Sequence, residues 1–160
     1  MNAAAKILVV DDTEMNRDMM CALLAADGHK ASVAVNGRIG LEMLKAEPFD
    51  LILLDVMMPE MNGYQVLEQL KADANLRAIP VIVLSALDEI GSVVRCIELG
   101  AEDYLPKPFD PILLRARINA CLEKKRLRDQ EVELRRELAQ WNQTLAQRVE
   151  EQVKQLERLG

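Results

Sequence analysis

Five polar residues stand where a buried scaffold has no need of them. Asp11 and Asp12 follow the apolar run "KILVV", Asp55 closes "LILLD", Ser85 closes "IPVIVLS", and Lys107 sits between two prolines in "YLPKP". Carboxylates, a hydroxyl and an ammonium suit phosphate or metal chemistry. Three converging carboxylates repel one another, and at about 4 Å with an effective dielectric near 20 each pair costs on the order of 4 kcal/mol. A hard divalent cation relieves that cost, and an all-oxygen donor set favours Mg²⁺ (or Mn²⁺) with several waters retained. Asp55 beside such a charge can act as a nucleophile toward phosphorus and form an acyl phosphate. Lys107 would neutralise one phosphoryl oxygen, the Ser85 hydroxyl would donate to another, and the N–H groups after Asp55 would complete a cradle. Each residue alone has a plainer role. An acidic pair favours a helix N-terminus, a serine often caps a turn, and a lysine between prolines suits a loop. Asp55 resists this treatment, because capping the next helix would place it nearer Gly63.

These residues must be delivered by the elements around them. "KILVV" reads as a buried strand, and Met15, Met19, Met20, Leu23 and Leu24 then fall at helical spacing. "KASVAV", ending at Val35, alternates like a strand and is followed by the helical "GRIGLEMLKA". "DLILLD" and "GYQVLEQLKAD" form a third pair. "IPVIVLS" (Ile79–Ser85) and "EIGSVVRCIELG" form a fourth, with a glycine at the helix C-terminus. "EDYLPKP" is a short fifth strand, and Asp110-Pro111 opens the last helix with a capping residue and a first-turn proline. Five β-α units with continuous apolar strands predict a doubly wound α/β domain, a five-stranded parallel sheet with helices on both faces. Its functional crevice lies at the carboxyl ends of the strands, where the five polar residues fall.

From Ile112 to Leu159 the chain has neither Gly nor Pro. A helix of that length would run about 72 Å. Its apolar positions Leu134, Leu138, Trp141, Leu145, Val149, Val153 and Leu156 are spaced 4, 3, 4, 4, 4 and 3, a coiled-coil seam interrupted once. The 3-4-4 stretch from Leu138 to Val149 should locally unwind a left-handed supercoil. The alternative is a solvated amphipathic helix, and the sustained seam favours self-association. The expected division is residues 1–122 as the α/β domain and 123–160 as the helical extension.

The motifs "ILVVDD", "DLILLDVMMPEMNGYQVL", "IPVIVLSA" and "GAEDYLPKPF" resemble the receiver domain of two-component response regulators, over roughly Lys6–Leu122. The resemblance implies a flavodoxin-like receiver fold with Asp55 as phosphoacceptor. It implies that Asp11, Asp12, Asp55 and the main-chain carbonyl of Met57 hold Mg²⁺. Ser85 matches the family's hydroxyl switch, with Ala86 beside it at the phosphate. Lys107 matches its lysine, and Tyr104 its aromatic switch. It further implies a cis peptide between Lys107 and Pro108, and Met57 and Leu87 at positions that tune phosphoryl lifetime. The phosphodonor would be a sensor histidine kinase or phosphotransfer protein acting in trans. Phosphorylation would then shift the α4-β5-α5 surface and, through the last helix, a parallel homodimer. "WNQTLAQRVEEQVKQLERLG" is similar, more weakly, to linkers joining receivers to output domains, nucleotidyl cyclase domains among them, so the 160 residues can be part of a longer protein.

Composition narrows the partners. The net charge of -6 divides into -7 over residues 1–122 and +1 over 123–160, which argues against nucleic acid. The basic run "KKRLR" is expected as a solvated helix face among glutamates. No helix-turn-helix pattern or glycine-rich nucleotide loop occurs. No apolar run approaches a membrane span and the N-terminus lacks signal-peptide features, so cytoplasmic residence is expected. Cys21, Cys96 and Cys121 are too dispersed for a disulfide framework and read as reduced thiols. His29, after Asp27-Gly28, is expected to be a solvated loop residue. Two other functions compete. An aspartate-nucleophile phosphatase would want a second acid two residues after Asp55, where Met57 stands. A coiled-coil scaffold would keep the fold without phosphotransfer.

Overall fold

The computed structural model describes residues 4–58, 61–86 and 90–159. Five strands, β1 (Lys6–Val10), β2 (Lys30–Ala34), β3 (Leu51–Asp55), β4 (Val81–Ala86) and β5 (Asp103–Lys107), alternate with α1 (Glu14–Ala26), α2 (Gly37–Ala46), α3 (Gly63–Ala72), α4 (Ile90–Glu98) and α5 (Pro111–Leu159). The strands form one parallel sheet in the order β2-β1-β3-β4-β5. The chain's direction across the sheet reverses between β1 and β3, the crevice position in this topology. The chain divides into two compact units, residues 1–125 and 126–160.

Strand pleating sorts the core into two layers. Leu8, Val10, Ile52, Leu54, Val81 and Val83 face α2, α3 and α4 and pack with Leu41, Leu44, Val66, Leu67, Leu70 and Cys96. Ile7, Val9, Leu51, Leu53, Ile82, Leu84 and Leu105 face α1 and α5, against Met20, Leu24, Leu114, Ile118 and Cys121. Every residue of β3 is buried, as its unbroken apolar run requires. Each such side chain contributes roughly 1.5–3 kcal/mol on burial, which is what fixes the strand carrying Asp55.

Local signals set the helix ends. Asn36 accepts the Ile39 amide at the start of α2 at 2.8 Å. Asn62 and Gln65 form a reciprocal capping box at the start of α3. Asp110 accepts the Ile112 amide at 2.8 Å, the cap expected for α5. Gly100 follows α4 with φ +103°, a left-handed turn suited to glycine. The Lys107–Pro108 peptide is cis. Expected strand ends shift by a residue or two: β2 stops at Ala34 rather than Val35, and β4 starts at Val81 rather than Ile79. Glu89, expected to open α4, lies outside the described residues, as does Leu87.

One surface expectation needs revision. His29 is buried, only 6% exposed. The turn at Gly28 leads straight into β2, and Nδ1 of His29 accepts the Ala5 amide at 3.0 Å, closing the start of β1. The basic run is largely exposed, as expected for a solvated helix face, and within it Lys124 and Lys125 reach Glu102 at 3.5 Å and Asp50 at 3.7 Å, residues just before β5 and β3. All three cysteines are free, and burial pushes the Cys96 and Cys121 thiols up to about 11. No helix among the described residues is long and apolar enough to cross a membrane.

Candidate functional site

Adjacent strands β1 and β3 run in register, Val10 opposite Leu54, so the next residues, Asp11 and Asp55, leave the sheet side by side. One carboxylate oxygen from each of Asp11, Asp12 and Asp55 lies within 4.8 Å of the others. Asp11 and Asp55 are buried, whereas Asp12 is exposed. From the end of β5, Lys107 reaches Nζ to 3.0 Å from Asp55 Oδ1 and 3.6 Å from Asp11 Oδ2. The ammonium therefore bridges both buried carboxylates.

The electrostatics of Asp55 follow from this packing. Burial pushes its carboxyl up to about 6. The hydrogen bond from Lys107 works against that rise, the Asp11 charge adds to it, and the Met57 amide, 3.2 Å from Oδ1, lowers it. One ammonium thus offsets two buried carboxylates incompletely. A hard, all-oxygen cluster with excess negative charge fits a divalent cation such as Mg²⁺.

Ser85 stands one residue beyond Leu84, the register partner of Asp55. Its hydroxyl is buried with no hydrogen-bond partner among the described residues. A buried hydroxyl left in that state costs about 1–3 kcal/mol. Ala86 pairs with Lys107 across β4 and β5. Met57, two residues after Asp55, has its side chain exposed. Tyr104 lies on β5 opposite Val83, partly exposed, three residues before Lys107. The structure thus gathers Asp11, Asp12, Asp55 and Lys107 by direct distance and sets Ser85 and Ala86 beside them by register. Leu134, Leu138, Trp141, Leu145, Val149, Val153 and Leu156 are all exposed on the second unit.

Three contacts to Asp11 were not anticipated. The Thr13 amide donates to Asp11 Oδ1 at 2.8 Å, Asn16 Nδ2 to Oδ2 at 3.3 Å, and Arg17 Nη1 to the Asp11 carbonyl at 3.0 Å. The first turn of α1 thereby holds Asp11 by both side chain and backbone. The available signal was the polar pair Asn16-Arg17 amid methionines, one turn after the two aspartates.

A parallel 2-1-3-4-5 sheet with an acidic, lysine-bridged edge at its strand ends defines a flavodoxin-like α/β domain. Residues 7–119 match the response regulator receiver domain, and the chain belongs to that family. It is 42% identical over 127 residues to response regulator PleD of Caulobacter vibrioides, an alignment covering 79% of this chain and 28% of PleD. It is 40% identical over 118 residues to protein PilH of Pseudomonas aeruginosa, covering 74% of this chain and 98% of PilH. The crystal structure of a signal receiver domain of a signal transduction histidine kinase from Syntrophus aciditrophicus superposes with a TM-score of 0.71 at 36% identity, covering 76% of this chain and 92% of that one. The chain spans under a third of PleD's length. Receiver domains are phosphoacceptor modules of two-component signalling that interact with histidine kinases or phosphotransfer proteins and typically bind Mg²⁺.

Proposed function

We propose that this domain accepts a phosphoryl group from the phosphohistidine of a partner kinase or phosphotransfer protein onto Asp55. The observation that carries the reading is the convergence of Asp11, Asp12 and Asp55 oxygens within 4.8 Å, with Lys107 Nζ 3.0 Å from Asp55. Asp55 Oδ attacks phosphorus, the P–N bond to the donor imidazole breaks, and a P–O bond forms. The imidazole leaves with the electron pair and takes a proton. Asp11, Asp12, Asp55 and the Met57 carbonyl would hold Mg²⁺, which supplies charge neutralisation for the phosphoryl oxygens when bound. Lys107 exchanges its carboxylate partner for a phosphoryl oxygen, and the Ser85 hydroxyl gains the partner it lacks, with the backbone at Ala86 alongside. These new contacts favour a second packing in which Tyr104 turns inward, a population shift of the α4-β5-α5 surface.

The output proposed is a parallel homodimer along Leu134, Leu138, Trp141, Leu145, Val149, Val153 and Leu156. Its support is a seam of large apolar side chains at coiled-coil spacing, each roughly half or more exposed. An enzymatic output domain in a longer protein is compatible with this arrangement. The test is incubation with a small phosphodonor and Mg²⁺, followed by mapping of the label. Expected is one hydroxylamine-sensitive acyl phosphate on Asp55, absent in Asp55→Asn and without added metal. Steady turnover of phosphoesters, or labelling that survives Asp55→Asn, would overturn the reading.

A further inference from the structure

The start of α3 rests directly on the backbone of the reactive strand. The Gly63 amide donates to the Val56 carbonyl at 2.9 Å. A Cβ placed on Gly63 would meet the Val56 Cα at 2.7 Å and the Asp55 carbonyl oxygen at 2.8 Å. Both are backbone atoms, unable to swing aside as a side chain would. Carbon contacts settle at about 3.5 Å or more, so a methyl group here must displace the chain at Asp55–Val56 by roughly 0.8 Å. Gly63 has no positive φ among the glycine conformations described, so its missing side chain serves close approach and not backbone freedom.

We infer that Gly63 is a positioning residue for Asp55: its bare Cα lets the capped first turn of α3 seat against the Asp55–Val56 backbone and hold the carboxylate against Asp11 and Lys107. The inference rests on the reading of Asp55 as phosphoacceptor and metal ligand. The neighbouring turn is itself fixed by the Asn62–Gln65 capping box, at 3.0 and 3.1 Å. Helix, cap and close contact thus act as one seat beneath the site. Reacting groups need placement within about 0.5 Å, and a displacement near 1 Å can cost roughly a hundredfold in rate.

The experiment compares wild type, Gly63→Ala and Gly100→Ala in the full chain. Gly100→Ala is the control for stability alone. It strains a φ of +103°, and its nearest contacts are with the flexible Lys71 side chain, at the opposite end of β5 from Lys107. Mg²⁺ affinity is measured by calorimetry, Asp55 labelling by a small phosphodonor, and folding by thermal melting. Gly63→Ala is expected to weaken Mg²⁺ binding about tenfold and slow labelling by ten- to a hundredfold. Gly100→Ala should lower the melting temperature while leaving both within about twofold of wild type. A folded Gly63→Ala protein that binds and labels like wild type overturns the inference. So does an equal functional loss in Gly100→Ala at matched stability. Wild type that neither binds Mg²⁺ nor labels overturns instead the reading of Asp55 on which the inference stands. If Gly63→Ala does not fold, Asn62→Ala carries the test, since it loosens the same turn without adding an atom at the contact. A loss of Mg²⁺ affinity of about threefold or more supports the seat, and unchanged affinity refutes it.

Discussion

Replacing Asp55 by Asn isolates the cost of the charge the site is built around. The Asp55 carboxyl is raised to about 6 by burial, with Asp11 contributing in the same direction against Lys107 and the Met57 amide. In the unfolded chain an aspartate titrates near its ordinary value of about 3.9. Between those two values the folded protein binds more protons than the unfolded one, so stability falls as pH rises through that window. The shift of about two units corresponds to roughly 3 kcal/mol, fully lost above pH 7. Asn resembles the protonated carboxyl in shape and, like it, carries no charge. Without metal, Asp55→Asn should therefore match wild type near pH 4 and exceed it by about 3 kcal/mol at pH 7.5, a rise in melting temperature on the order of 10 °C. The assay is guanidinium unfolding followed by circular dichroism in chelator at pH 4.5, 5.5 and 7.5. Taking the difference between the two proteins cancels the other carboxylates. Saturating Mg²⁺ should then narrow the gap by stabilising wild type, by about 2.7 kcal/mol at a hundred times Kd. A difference that does not vary with pH, or a variant less stable than wild type at pH 7.5, would refute the electrostatic account.

Ser85→Ala should leave the metal-free protein as stable as wild type or about 1 kcal/mol more so, since it removes a buried hydroxyl without a partner, while lowering the yield of labelled Asp55. Denaturant unfolding and phosphodonor labelling read the two effects separately, and a clear destabilisation would reveal a hidden partner. His29→Ala strips the Ala5 amide of its acceptor and should cost about 1–3 kcal/mol, whereas a freely solvated histidine would cost almost nothing. Leu138→Glu with Leu145→Glu should abolish dimers in sedimentation at tens of micromolar while leaving Asp55 labelling intact. A wild-type chain that stays monomeric in both phosphorylation states would end the seam proposal.

The sheet was legible because apolar runs, caps and turns repeat in phase. "LILLD" could only be a strand buried on both faces, and the Asn62 and Asp110 caps stand where the residue types require them. The acidic edge was legible for the same reason, since a strand-end residue needs only the topology to place it. Contacts set by the phase of a helix against a distant strand were not. Asn16 and Arg17 reach Asp11 only because of how α1 turns after Thr13. His29 looked solvated because Asp27-Gly28 marks a turn, yet its burial depends on Ala5, 24 residues earlier. Lys124 and Lys125 likewise pair with residues that precede strands far back in the chain, a pairing no local charge pattern announces. The lysine bridge shared by Asp11 and Asp55 was foreseen only as a phosphate contact, since a strand-end lysine does not reveal its resting partner.

The two-layer pleat carries a consequence for how the gene can vary. Asp11 and Asp55 fall in step with Ile7, Val9, Leu51 and Leu53, the residues of the α1 and α5 layer. Removing or adding one codon within β1 or β3 would exchange the two layers of that strand and turn its carboxylate to the opposite side of the sheet. A library of single-codon deletions should therefore yield no functional members between Ile7 and Asp11 or between Leu51 and Asp55. The loop ahead of β4 around Asn75 should accept such changes. Spelling within those two strands is negotiable among apolar residues; their length is not.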